Sequence, residues 1–162
     1  HEALLRWQHP EHGLLTPTDF PEVMCESSLQ PALQHMMLAN ALAKAASIRL
    51  RRPDLTMAVK LVSSQLQGTA GAVSILDELA RHRVPPAALV VQVTETVVMA
   101  GLGGTLIECL ECLRDAGVNV ALDDFGTGHA SLLQLRDVPA NIVKIDRSFV
   151  SKLPESSGSQ HI

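Results

Sequence analysis

The 162-residue chain carries 13 Lys and Arg against 17 Asp and Glu, a formal charge of −4, with 46% hydrophobic and only 2% aromatic residues. That length fits one domain or a piece of a larger one, with a core built from Leu, Val, Ala and Ile. The negative balance speaks against broad electrostatic binding to nucleic acid or to an anionic membrane, and no apolar run approaches the roughly 20 residues a spanning helix needs.

The chain opens on His1 and runs directly into Glu2-Ala3-Leu4-Leu5-Arg6-Trp7. Opening on His rather than Met and with no lead-in, it reads as a segment cut from, or ordered within, a longer protein, and no secretory signal precedes the first element. Ala3 to Trp7 is a short apolar run that fits the end of a strand, and His9 to Gly13 is turn-rich. Thr18 or Asp19 can open a helix through Met24. Pro31 to about Arg49 reads as a long helix, ended by Arg51-Arg52-Pro53-Asp54. Thr56 to Val62 reads as a strand and Ala72 to about His82 as a helix stopped by Pro85-Pro86. Leu89-Val-Val-Gln-Val-Thr94 is the most β-branched run and reads as a strand. Gly104 to Ala116 is a helix ended by Gly117. Its Cys109 and Cys112 have ligand-like spacing, but no second pair exists to complete a zinc site, and their neighbours repeat at helical spacing. With Cys25 they make a sparse, odd set that fits a reducing, cytoplasmic setting. Val118 to Leu122 is a further strand, Ser131 to Arg136 a short helix, and Ile142 to Asp146 another strand. Phe149 to Leu153 starts a helix, and the Ser/Gly-rich residues 154–162 read as a tail or loop. Residues 1–153 form the domain.

Strands and helices alternate with short turns, which implies parallel strands covered by helices, in a (β/α) barrel or a doubly wound sheet. About five strands can be counted, whereas a full eight-unit barrel takes about 250 residues.

Polar residues interrupt these apolar strands. Glu2 lies in the first, Lys60 in the second and Gln92 in the third, with Glu95 just after it. Asp123 and Asp124 end the fourth, and Lys144 sits inside the fifth. Successive side chains on a strand alternate between faces, so one of the paired aspartates is expected to face the interior or the rim. A buried charge without a partner costs several kcal/mol, so these groups are expected to converge at the C-terminal mouth of the strands. Adjacent acids suit a hard divalent cation, and Gly126-Thr127-Gly128 lets the backbone turn sharply beside it. The plainer alternatives are a solvated Asp pair before a turn and a structural network of ion pairs.

Four stretches in this order, Glu2-Ala3-Leu4-Leu5-Arg6-Trp7, Val91-Gln92-Val93-Thr94-Glu95-Thr96, Asp123-Asp124-Phe125-Gly126-Thr127-Gly128 and Val143-Lys144-Ile145-Asp146-Arg147-Ser148-Phe149-Val150, resemble the EAL family of bacterial cyclic-di-GMP phosphodiesterases. The resemblance covers nearly the whole chain. It implies a modified (β/α)8 TIM-type barrel, here incomplete, with about five βα units and the first and last strands missing. It implies hydrolysis of cyclic-di-GMP to the linear dinucleotide with Mg²⁺ or Mn²⁺, and sensory or signalling domains, fused or separate. It leaves a homodimer open. By resemblance Glu2, Asp123 and Asp124 are metal ligands, Asp124, Lys144 and Glu2 form the catalytic set, Leu4 and Arg6 touch the dinucleotide, and Glu95 braces the loop after the paired aspartates. Two divalent ions roughly 3.5–4 Å apart would hold an activated water and the phosphate together.

The departures are specific. Lys60 stands where the family strand carries a metal-binding Asn, and an ammonium cannot ligate a cation while charged. Gln92 stands where a Glu is usual. Together they make the site more positive by two charges, one from each replacement. His129 and Ala130 replace Tyr and Ser. These departures favour a degenerate domain, binding cyclic-di-GMP or regulating a partner without hydrolysis. The alternatives are a working phosphodiesterase and an interaction module that has lost the nucleotide. Missing strands would leave edges for another segment to cover.

Overall fold

The computed structural model describes residues 1–101, 104–126 and 138–151. Its framework grows from the β-branched runs. Leu89–Thr94 (β5) is flanked by Met57–Lys60 (β4) on one side and Asn119–Phe125 (β6) on the other, with Glu2–Ala3 (β1) and Ile142–Ile145 (β7) at the edges. All neighbouring pairs in this five-stranded sheet are parallel. The strand order β1-β4-β5-β6-β7 follows the sequence without reversal. A doubly wound sheet reverses its order at a switch point, whereas a barrel adds each strand beside the last. The sheet is therefore an arc of a TIM-type barrel, and the open-sheet alternative falls away.

Helices cover the outer face. Gln30–Arg49 (α2), Gly68–Arg81 (α3) and Thr105–Asp115 (α5) each follow the helical apolar repeat. In α2 the buried stripe is Leu38, Ala41, Leu42 and Ala45, and in α5 it is Leu106, Cys109, Leu110 and Leu113. Both stripes have the spacing i, i+3, i+4, i+7. They pack on Met57, Val59, Leu89, Val91, Val93, Val120 and Leu122, one alternate set of strand residues. The other alternate set, including Lys60, Gln92 and Asp123, faces the barrel interior.

Three local readings change. The run from Ala3 to Trp7 is not one strand. β1 ends at Ala3, and Trp7–His9 (β2) pairs antiparallel with Gly13–Leu15 (β3) across the turn at residues 10–12. Trp7 is drawn out of line by edge-on ring contacts with His9 and Phe20, at 4.8 and 5.5 Å. The capped segment near Asp19 is a 3₁₀ turn, Pro17–Asp19, followed by a separate short helix, Pro21–Cys25 (α1). A helix not anticipated, Glu95–Gly101 (α4), leaves β5 with no turn residue between them. Its signal was Thr94, whose Oγ1 accepts the Val97 N–H at 3.3 Å as a cap.

The final helix, Arg147–Val150 (α6), begins two residues before the expected start, because the Asp146 carboxylate accepts the Ser148 N–H at 2.8 Å. On β7, Ile142, Val143 and Ile145 are exposed, unlike the apolar residues of β4 to β6. The helix expected at Ser131–Arg136, the replacements His129 and Ala130, and the tail 154–162 lie outside the described residues. Among the described residues no helix is long and apolar enough to cross a membrane.

Gly71 marks the closest approach of a helix to a loop. A Cβ there would collide with the backbone carbonyl oxygen of Gln65 and lie 3.3 Å from Cys109 Sγ. Gly71→Ala is expected to destabilise the domain by about 1–3 kcal/mol, the usual effect of overpacking. Thermal or urea denaturation checks this, and an unchanged midpoint would refute the packing described.

Candidate functional site

Strand register brings the polar interruptions together. Lys60 lies beside Gln92, Gln92 beside Ala121, and Thr94 beside Asp123. Residues paired in this way share a face. On the far side of β6 the register slips: Leu122 pairs with Val143 but Phe125 pairs with Ile145. Asp123 and Asp124 together oppose Lys144 in a β-bulge, and Asp124 adopts the left-handed backbone conformation (φ 56°). Simple alternation would aim the two acids at opposite faces. The bulge re-aims the second, and both carboxylates reach one amine. Lys60 Nζ lies 3.2 Å from Asp123 Oδ2 and 2.9 Å from Asp124 Oδ2.

A second lysine completes the cluster. Lys144 Nζ is 2.8 Å from Asp123 Oδ1 and 3.6 Å from Glu2 Oε1. Buried Gln92 lies between them. With its amide turned to suit these neighbours, it donates to Glu2 Oε1 at 3.0 Å and accepts from Lys144 Nζ at 2.7 Å. The Lys144–Glu2 contact has a geometric consequence. β7 and β1 are opposite edges of the sheet, four strand spacings apart, which in a flat sheet is about 19 Å. A Lys and a Glu side chain cannot bridge that distance, so the sheet must curl to bring its edges together, as a barrel does.

Glu95, the first residue of α4, is buried, and its Oε2 accepts the Gly126 N–H at 3.1 Å. Gly126 has φ 94°, and a Cβ there would lie 2.8 Å from the Phe149 ring. The backbone leaving the aspartate pair is thus held from α4 on one side and packed by α6 on the other. Leu4 and Arg6 stand apart from the charged cluster. Leu4 is 61% exposed, and Arg6 Nη1 donates to the Leu5 carbonyl at 2.6 Å. Leu4 also lines a hollow of about 400 Å³ that opens beside Glu2 and Lys60.

The electrostatics follow from the contacts. Burial raises the Asp123 carboxyl, but hydrogen bonds and charge from Lys144 and Lys60 outweigh this and hold it below its ordinary 3.8. Burial likewise opposes the charge on Lys60, yet hydrogen bonds to Asp124 and Asp123 carry it above its ordinary 10.5. Away from the mouth, burial pushes the Cys109 thiol up to about 11, so it behaves as a small core residue.

These residues are a poor match for a pair of divalent ions. Three carboxylates gather with two ammonium groups, a formal net charge of −1, and Lys60 Nζ lies within 3.2 Å of both aspartates. Gln92 uses its oxygen on Lys144. Among the described residues no three His, Cys, Asp or Glu side chains are grouped to hold a metal.

The barrel arc and its charged mouth define a class. The EAL domain model matches residues 1–162, and the chain belongs to the EAL domain family. It is 37% identical over 160 residues to the bifunctional diguanylate cyclase/cyclic di-GMP phosphodiesterase MucR of Pseudomonas aeruginosa, covering 96% of this chain and 23% of that protein. It is 36% identical over 167 residues to the cyclic di-GMP phosphodiesterase NbdA of the same organism, covering 99% and 21%. Among solved structures it superposes on the PaMucR phosphodiesterase in complex with c-di-GMP with a TM-score of 0.86 and 35% identity, over 98% of this chain and 64% of that one. It also matches Klebsiella pneumoniae BlrP1 in a calcium/cyclic-di-GMP complex, with a TM-score of 0.81 and 26% identity, over 98% and 39%. The chain spans about a fifth of the length of these curated relatives.

Lys60→Met removes one of the two cations on Asp123, so that carboxyl should titrate at higher pH than in the unsubstituted protein, as read by carbonyl NMR. The sign for stability follows. A lowered carboxyl contributes stability above 3.8 that is lost as pH falls through its folded value, and a raised amine contributes stability below 10.5 that is lost as pH rises through its folded value. An Asp123 titration identical in both proteins would contradict the geometry.

Proposed function

We propose that this segment is a cyclic-di-GMP-binding EAL domain in which the chain's own amines stand in for metal ions, so that it holds the dinucleotide without hydrolysing it. The observation that carries this reading is the position of Lys60 Nζ between Asp123 and Asp124. An ammonium has three N–H bonds. Two face the aspartates, and the side chain is 45% exposed, so the third can meet a phosphate oxygen of an incoming ligand. Hydrolysis needs more than this. In a two-metal site the ions generate and hold the attacking hydroxide. Here Asp123 spends both oxygens on lysines. With both oxygens paired to ammonium groups and its carboxyl held below the ordinary range, it is a weaker base toward a water. Glu95 supports the reading by holding the Gly126 backbone, and with it the exit from the aspartate pair. Leu4 and Arg6 line a hollow beside the first strand, from which they would touch the ligand. Sensory or signalling segments elsewhere in the protein would read the bound state.

Two observations favour retained phosphodiesterase activity instead. Glu2, Asp123 and Asp124 do gather at one mouth, and relatives at 36–37% identity are named cyclic di-GMP phosphodiesterases. In that case Mg²⁺ or Mn²⁺ must displace Lys60, which its exposure permits. Two measurements separate the readings. Cyclic-di-GMP should bind equally with chelator and with excess Mn²⁺, and no linear dinucleotide should form over hours. Turnover in Mn²⁺ refutes the proposal, and no binding under either condition leaves an interaction module. Lys60→Asn with Gln92→Glu removes one amine and adds one carboxylate, so Mn²⁺ affinity measured by calorimetry should rise at least tenfold.

A further inference from the structure

At the end of the arc away from the charged mouth, α2 closes on a run of cations. Lys44, Arg49, Arg51 and Arg52 lie close together in sequence, with Asp54 the one acid beside them. The turn after the helix is fixed. The Arg51 and Arg52 N–H groups both reach the Ile48 carbonyl at 3.0 Å, and Arg49 Nη1 donates to the Leu55 carbonyl at 2.5 Å. Arg49 is therefore committed to the fold. Lys44, Arg51 and Arg52 are exposed, and among the described residues none of the three forms a salt bridge. Between them lies a hollow of about 430 Å³, lined also by Ser47, Ile48 and Leu50. Leu50 is 86% exposed, the most exposed large apolar side chain among the described residues.

A helix C-terminus favours cations, but the effect fades beyond the last turn. It accounts for Arg49. It does not account for Lys44, more than one turn inside α2, or for an apolar side chain held in water. In a chain of net charge −4, three unpaired cations around an aliphatic hollow make a local positive field that attracts an anionic partner.

The shape of the hollow narrows the kind of partner. No aromatic ring lines it for a base to stack on, which disfavours single-stranded nucleic acid. It is concave and carries one protruding leucine, whereas a surface that lies on a membrane presses a broad apolar face into lipid. A concave site of side-chain size with cations on its rim fits an apolar residue flanked by carboxylates.

We propose that this hollow docks an acidic peptide segment of a partner protein. One apolar side chain of the segment packs on Ile48 and Leu50, and the carboxylates around it meet Lys44, Arg51 and Arg52. The site stands apart from the mouth. Gln34 of α2 lines the hollow that Glu2 and Lys60 share, and at about 1.5 Å per residue Arg49 lies roughly 22 Å further along the helix. Partner and dinucleotide do not compete for space, and the inference holds whatever the mouth binds.

The test titrates the full chain into a fluorescein-labelled peptide with one phenylalanine between two runs of glutamate, read by fluorescence anisotropy. Saturable binding is expected, and it should weaken as salt is raised, because exposed pairs are screened. Arg51→Glu and Arg52→Glu should each weaken it about fivefold, since an attractive contact becomes repulsive. Leu50→Ser should weaken it about threefold at unchanged charge. Arg114→Glu makes the same charge change at the exposed end of α5 and should leave binding unaltered. An equal loss in Arg114→Glu would mean that net charge alone is at work, and overturns the proposal. Full affinity in Leu50→Ser overturns the seating of an apolar side chain. The proposal also fails if the unsubstituted chain does not bind the peptide. Tighter binding to phosphatidylserine–phosphatidylcholine vesicles or to oligothymidylate than to the peptide assigns the hollow to lipid or nucleic acid instead.

Discussion

The structure depends on a charge problem solved at close range. Asp123 is buried at the end of the central strand region, where an uncompensated carboxylate would cost several kcal/mol. Two ammonium groups, from β4 and β7, meet its two oxygens at 3.2 and 2.8 Å. Because those lysines come from strands on either side of β6, the compensation works only when β4, β6 and β7 lie in this order and curve toward one another. The same contacts that make the carboxylate tolerable therefore tie three strands, and through Glu2 a fourth, into one arc.

That solution also sets the chemistry. A site that holds divalent ions keeps its carboxylates uncommitted, and bound metal repays their mutual repulsion. Here the chain supplies the positive charge itself, fixed in place and available without loading. A covalently attached ammonium has one charge where a metal has two, and it cannot bind water as a ligand. It can neutralise and orient a phosphate. It cannot lower the pKa of a water molecule. The geometry thus places a fixed amine within 3.2 Å of both aspartates.

Much of this was legible in the chain. Polar residues inside apolar, β-branched runs announced a shared opening, since each is expensive alone and affordable together. The alternation of elements announced parallel strands with helices outside. The four motifs pointed to the family that the whole-chain match establishes. Less legible was anything that depended on two distant segments meeting. The rule of alternating faces aims Asp124 away from Asp123, and only the bulge against β7 reverses that. The choice between barrel and open sheet needed the strand order. Trp7 left the strand pattern because of ring contacts with Phe20, 13 residues on in the chain.

By itself, then, the sequence determined which residues carry charge into a buried setting, and which helices and strands surround them, because periodicity and desolvation cost are local properties of residue types. Only the tertiary structure decided which amine meets which carboxylate and how far the sheet curls. Those outcomes depend on distances between strands separated by tens of residues, and a change of one residue in register would exchange one face for the other.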